Sequence, residues 1–109
     1  MNTRTIPLAV KFRLLRTRRA LRGWRNEAVR SSRHAERCRE GHEPDLMVMA
    51  DTQALATLLA EEGTAIAQIG LAAGPKVRSV QAALAADLAV LAHETRACHL
   101  TMREALLRS

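Results

Sequence analysis

Residues 74–102 read GPKVRSVQAALAADLAVLAHETRACHLTM. Gly74 and Pro75 open this stretch; glycine is favoured just past the end of one helix and proline in the first turn of the next. Apolar and small residues then recur at alternating spacings of three and four, the period of the buried face of a bundled helix. We therefore predict a tight turn and then a helix over residues 75–107. Its buried face comprises Val77, Val80, Leu84, Leu88, Leu91, Thr95, Cys98 and Met102.

The residues before this turn predict a second helix, over 45–73. Asp45 follows a proline and precedes an apolar run, which makes it a good N-cap, and Asp51 is an alternative start. The expected buried face is Thr52, Leu55, Leu59, Glu62, Ile66, Ile69 and Ala73. Because Glu62 falls on this face, we expect it to be partly exposed or to pair with an arginine of the first helix.

The first helix is predicted over residues 8–40, after a short N-terminal arm at 1–7. Pro7 suits the start of this helix, and Gly41 suits its C-terminal cap. Its buried face is predicted to be Leu14, Thr17, Leu21, Trp24, Ala28, Ser31, Ala35 and Cys38.

Three long helices with short connections predict an all-α, up-down-up three-helix bundle in one domain over residues 1–109. In this topology the first and third helices run parallel. The second helix is shorter, so the start of the first is expected to project beyond it. No run of about 20 apolar residues predicts a membrane span. We expect a cytoplasmic protein, although residues 1–26 lack acidic residues and have the composition of a transit peptide.

Positive charge is concentrated in the first helix. Residues 1–40 carry a net charge of +9, whereas residues 41–109 carry −3. Most of the basic residues of the first helix avoid its buried face, and arginine binds phosphate bidentately. We predict that this basic first helix binds a polyanion without sequence specificity, nucleic acid foremost, or else an acidic protein; a merely solvated face is the competing interpretation. The candidate residues are Arg13, Arg16, Arg19, Arg22, Arg30, Arg33 and Arg37.

A second apolar stripe, consisting of Leu8, Phe12 and Leu15, lies on the projecting start of the first helix. Apolar surface outside the buried face indicates a protein partner or self-association. The alternative function is therefore a structural or adaptor subunit that docks through these three residues.

Thiol and imidazole side chains are expected to meet near the first loop. Residues His34 and Cys38 are one helical turn apart, and Cys98 and His99 should lie at the same level of the third helix. Buried free thiols are favoured over a Cys38–Cys98 disulfide or a zinc or copper site. A metal-binding bundle is thus the third hypothesis, and no cofactor is predicted.

Catalysis is not predicted. Glu61 and Glu62 are adjacent on a helix and point about 100° apart, so they cannot face each other as a catalytic pair. No nucleophile–base–acid arrangement and no glycine-rich phosphate loop has a supporting context.

Overall fold

A computed structural model describes residues 8–69 and 74–109, which form three α-helices. Helix α1 is Leu8–Arg39, α2 is Leu46–Ala67 and α3 is Pro75–Arg108. The three helices pack against one another in a rod of 62 × 18 × 17 Å. The predicted all-α three-helix bundle is confirmed. The predicted N-terminal arm, residues 1–7, lies outside the described residues.

Helices α2 and α3 form the most extensive helix pair of the bundle. Leu59, Ile66 and Leu88 are fully buried between them. Gly63 allows the two helices to approach closely, because a Cβ added there would lie 3.3 Å from the Leu88 Cβ and 3.7 Å from the Ala89 amide nitrogen. The α2–α3 hairpin is therefore the tightly packed unit on which α1 lies.

Helix α1 runs parallel to α3, as the topology predicts. The Arg25 guanidinium contacts the Asp87 carboxylate at 3.4 Å, and Arg39 donates to the Thr101 hydroxyl at 3.4 Å. Both pairs are separated by 62 positions in the sequence. A constant offset along two helices means that they run in the same direction.

The end of α1 is a Schellman motif. The His42 amide donates to the Arg37 carbonyl at 3.0 Å, and the Gly41 amide donates to the Cys38 carbonyl at 3.2 Å. Gly41 has a φ of 98°, a left-handed conformation that glycine adopts without a Cβ clash. Gly41 thus ends α1 as the sequence predicts.

Asp45 is the N-cap of α2. Its carboxylate accepts hydrogen bonds from the Met47 and Val48 amides at 2.8 and 3.3 Å. These are two of the amides that the first turn of a helix leaves without intrahelical partners. The predicted start is confirmed, and the alternative start at Asp51 is wrong.

Helix α2 ends at Ala67, earlier than the predicted Ala73, and residues 70–73 lie outside the described residues. The Gln81 side-chain amide of α3 donates to the Ile66 and Ile69 carbonyls at 2.7 and 2.9 Å. It satisfies carbonyls that a continuing helix would have bonded to its own amides. Placing Gln81 here turns Val80 outward, so the prediction that Val80 is buried is wrong: it is 40% exposed.

The close approach at Gly63 makes a testable prediction about stability. Gly63→Val should lower the free energy of unfolding by roughly 1–3 kcal/mol, because the added methyl groups overpack the contact with Leu88. The matched control is Gly23→Ala, since no atom lies within 4 Å of a Cβ added at Gly23. This control should raise stability by about 0.5–1 kcal/mol through helix propensity alone. Urea unfolding followed by circular dichroism measures both; equal effects of the two changes would contradict the close packing.

Candidate polyanion-binding surface

A salt bridge and a hydrogen bond connect the first half of α1 to α2. The Arg13 guanidinium forms a salt bridge with the Glu62 carboxylate at 2.7 Å, and the Thr17 hydroxyl donates to the same carboxylate at 2.9 Å. Thr17 is buried, and the Glu62 side chain is largely buried. The prediction that Glu62 pairs with an arginine of the first helix is confirmed. Of the predicted polyanion-binding residues, Arg13 therefore already has an acidic partner within the chain.

Two further polar contacts join the second half of α1 to α2. The buried Ser31 and Thr52 hydroxyls share a hydrogen bond of 2.8 Å. The buried His34 accepts a hydrogen bond from the Asp45 amide at its Nε2, over 2.9 Å. Nε2 can accept only in the neutral imidazole that carries its proton on Nδ1. His34 therefore ties α1 to the N-terminus of α2.

The other six predicted arginines remain exposed along α1. Within residues 8–69 and 74–109, none of the six forms a salt bridge. They extend over about 32 Å of helix, given a rise of about 1.5 Å per residue. They are Arg16, Arg19, Arg22, Arg30, Arg33 and Arg37. These guanidinium groups are available to an external anion.

Three of these arginines line a groove between α1 and α2, which we call the α1/α2 groove. Arg30, Arg33 and Arg37 stand on its α1 side. Its volume is about 630 Å³, and α2 contributes apolar side chains that include Leu55 and Leu58. The groove exists because α1 packs more extensively on α3 than on α2.

The other three arginines continue the predicted apolar stripe. Leu8, Phe12 and Leu15 are 67%, 62% and 51% exposed. Arg19 follows Phe12 by seven positions, and Arg22 follows Leu15 by seven, which is two helical turns in each case. Arg16 is one turn beyond Phe12. The exposed face of α1 thus carries Leu8, Phe12 and Leu15 beside Lys11 in its first two turns, and mainly arginines from there on.

The two predicted thiols, Cys38 and Cys98, lie in the same part of the bundle but do not form a disulfide. Cys38 and Cys98 belong to one apolar cluster, and both are free thiols. Burial raises the pKa of both thiols, and the smaller opposing effects of Arg37 on Cys38 and of Arg39 on Cys98 do not reverse this. Less thiolate at neutral pH makes each sulfur a weaker metal ligand and nucleophile.

The two predicted imidazole candidates, His34 and His99, have different surroundings. The His34 Nε2 accepts a hydrogen bond from the Asp45 amide, whereas His99 lines a second groove, between α2 and α3. Among the described residues, no group of three or more His, Cys, Asp or Glu side chains is placed to hold a metal ion.

Sequence reasoning missed the second groove. Its volume is about 490 Å³, and its α3 wall carries His93, Arg96, His99 and Arg103. The spacing of His93, Arg96 and Arg103 marks a single helix face. That spacing is visible in the sequence, but the groove itself depends on the distance between α2 and α3.

None of the helices in the described part of the chain has a stretch both long and apolar enough to cross a bilayer. Comparisons with models of known protein families, with curated proteins and with solved structures find no match to this chain.

The hydrogen bond between His34 and Asp45 can be tested by substitution. His34→Ala should lower the free energy of unfolding by roughly 1–3 kcal/mol, because the partly buried Asp45 amide loses its acceptor. His93→Ala is the control: His93 is exposed, and its loss should change stability by less than about 0.5 kcal/mol. Thermal and urea unfolding give both values. A His34→Ala protein as stable as the control would contradict the role of this hydrogen bond.

Proposed function

We propose that this chain is a non-enzymatic binding protein whose helix α1 engages a polyanion, with nucleic acid as the leading candidate. The observation that carries the proposal is the set of six exposed arginines without acidic partners among the described residues. The structure offers Arg13 an internal carboxylate but leaves these six to the solvent.

The spacing of these charges suits a phosphate backbone. The arginines cover about 32 Å of helix α1, and one DNA strand has a phosphate about every 3.4 Å along the axis of the duplex. Arg18 and Lys11 are also exposed on α1 and add to the positive potential. Contacts to phosphate oxygens carry no sequence information, so the expected binding is nonspecific and strongly dependent on salt.

The alternative function is a structural or adaptor subunit that docks through Leu8, Phe12 and Leu15. Their exposure supports it, because contiguous exposed apolar side chains are typical of protein interfaces. The neighbouring arginines Arg16 and Arg19 would then face acidic residues of the partner.

Salt titration of DNA binding tests the first proposal. Binding to a fluorescent 20-base-pair duplex should weaken steeply between about 50 and 300 mM salt, since each neutralised phosphate contributes about −0.9 to the log–log slope. The variant R16Q/R19Q/R22Q should flatten this slope by about 2.7 and weaken binding at every duplex sequence. Fluorescence anisotropy measures both.

The control variant R96Q/R103Q/R108Q removes the same charge from exposed positions of α3. It should change the slope much less than the α1 variant does. Absence of binding at 50 mM salt, or equal effects of the two variants, would contradict the assignment to α1. Loss of binding to a protein partner on Phe12→Glu, without any DNA binding, would favour the adaptor function instead.

A further inference from the structure

The apolar stripe of Leu8, Phe12 and Leu15 forms a ridge on the outside of the bundle. All three side chains are more than half exposed. They lie within an arc of about 60° around α1, given 3.6 residues per turn. They line neither the α1/α2 groove nor the groove between α2 and α3. The stripe is therefore convex apolar surface that faces the solvent.

The end of the rod that carries this stripe is basic and almost free of acidic residues. No Asp or Glu occurs in residues 8–26, 63–69 or 74–86. The carboxylate of Glu62, at the edge of this region, is bound by Arg13. Several exposed cations of this end form no salt bridge within the part of the chain that the structure describes. They include Lys11, Arg16, Arg18, Arg19, Lys76 and Arg78.

Cations flank the stripe on both sides. The exposed Lys11 and Arg16 each lie about 40° beyond one of its two edges, by the same helical period. Lysine and arginine lay their apolar stems along an apolar surface while their charged ends reach outward to a polar layer. This arrangement is typical of helices that lie at the interface between lipid headgroups and acyl chains.

The width of the stripe favours a bilayer over a protein groove. The apolar face of a helix packed on protein is typically about 100° wide or more. A groove that enclosed this narrower stripe would also enclose Lys11 and Arg16 and remove their charges from water, which is costly. Nucleic acid would bind these cations but leave Phe12 in water. An anionic lipid surface offers phosphates to the cations and an apolar layer to the stripe.

We propose that the start of α1 binds the surface of an anionic lipid bilayer, with Leu8, Phe12 and Leu15 inserted at the boundary between headgroups and acyl chains. The bundle stays folded, because the three side chains are already exposed. The stripe is short, so binding requires both the apolar insertion and the attraction of the cations to lipid phosphates. The proposal does not rest on nucleic-acid binding, in which the stripe takes no part.

Sedimentation of the full chain with sucrose-loaded vesicles tests the proposal. The chain should bind vesicles of phosphatidylcholine with about 30 mol% phosphatidylglycerol at least about tenfold more tightly than vesicles of phosphatidylcholine alone. Phe12→Ser should weaken binding to the anionic vesicles by about tenfold or more, because the largest inserted side chain is lost. Val90→Ser is the matched control and should leave binding unchanged, since Val90 is 58% exposed but lies on α3.

Tryptophan emission distinguishes insertion from adsorption by charge alone. The variant F12W/W24F moves the single tryptophan of the chain into the stripe. Its emission should shift to shorter wavelength on anionic vesicles and should be quenched by lipids with brominated acyl chains. The unaltered chain, whose Trp24 is half-buried, should show neither effect.

The same variants separate this proposal from nucleic-acid binding. Phe12→Ser should leave duplex binding unchanged, and a chain that binds anionic vesicles through Phe12 but binds no duplex supports this proposal alone. Absence of binding to anionic vesicles at about 50 mM salt overturns it and leaves the stripe to the protein partner of the alternative function. Vesicle binding that Phe12→Ser does not weaken also overturns it, because the arginines alone then account for the binding.

Discussion

The close approach of α2 and α3 at Gly63 is the constraint from which the rest of the structure follows. With only a hydrogen at this position, the α2 backbone comes near enough for Leu88 to be fully buried against it. The hairpin that results holds most of the large buried side chains. Helix α1 is laid along α3 and lies less closely against α2, which leaves the α1/α2 groove open. Arg30, Arg33 and Arg37 of α1 therefore line an open groove.

Polar contacts fix the position of α1 where apolar packing is sparse. Glu62, Thr52 and the Asp45 amide each receive a partner from α1. Such contacts specify register and level more than they add stability, because the net contribution of a hydrogen bond is only about 1 kcal/mol. They also divide the arginines by role. Arg13 neutralises Glu62 inside the bundle, whereas the arginines further along α1 remain exposed.

Much of the fold could be predicted from the sequence because caps and heptad spacing are local signals. Asp45 and Gly41 mark the ends of the first loop through their own side-chain and backbone chemistry. Glu62 on a buried face predicted either partial exposure or an arginine partner, and it has both. Val80 shows the limit: heptad spacing prefers an apolar residue, but the structure turns Gln81 inward to bond the α2 carbonyls.

The grooves could not be predicted for a related reason, since they depend on distances between helices. Periodicity predicts which face of a helix is buried, but it does not predict the distance between the faces of two packed helices. The outward direction of Arg19 and Arg22 could be predicted, whereas the position of Arg30 and Leu58 on opposite sides of the α1/α2 groove could not.

We propose that the arginine face of α1 is the binding surface of this protein. Amide hydrogen exchange of the full chain, with and without a 20-base-pair duplex at low salt, tests it most directly. DNA should slow exchange chiefly in residues 16–37 and leave the α2–α3 contact around Leu88 unchanged. An increase in protection that is equal across all three helices, or confined to α3, would contradict this assignment.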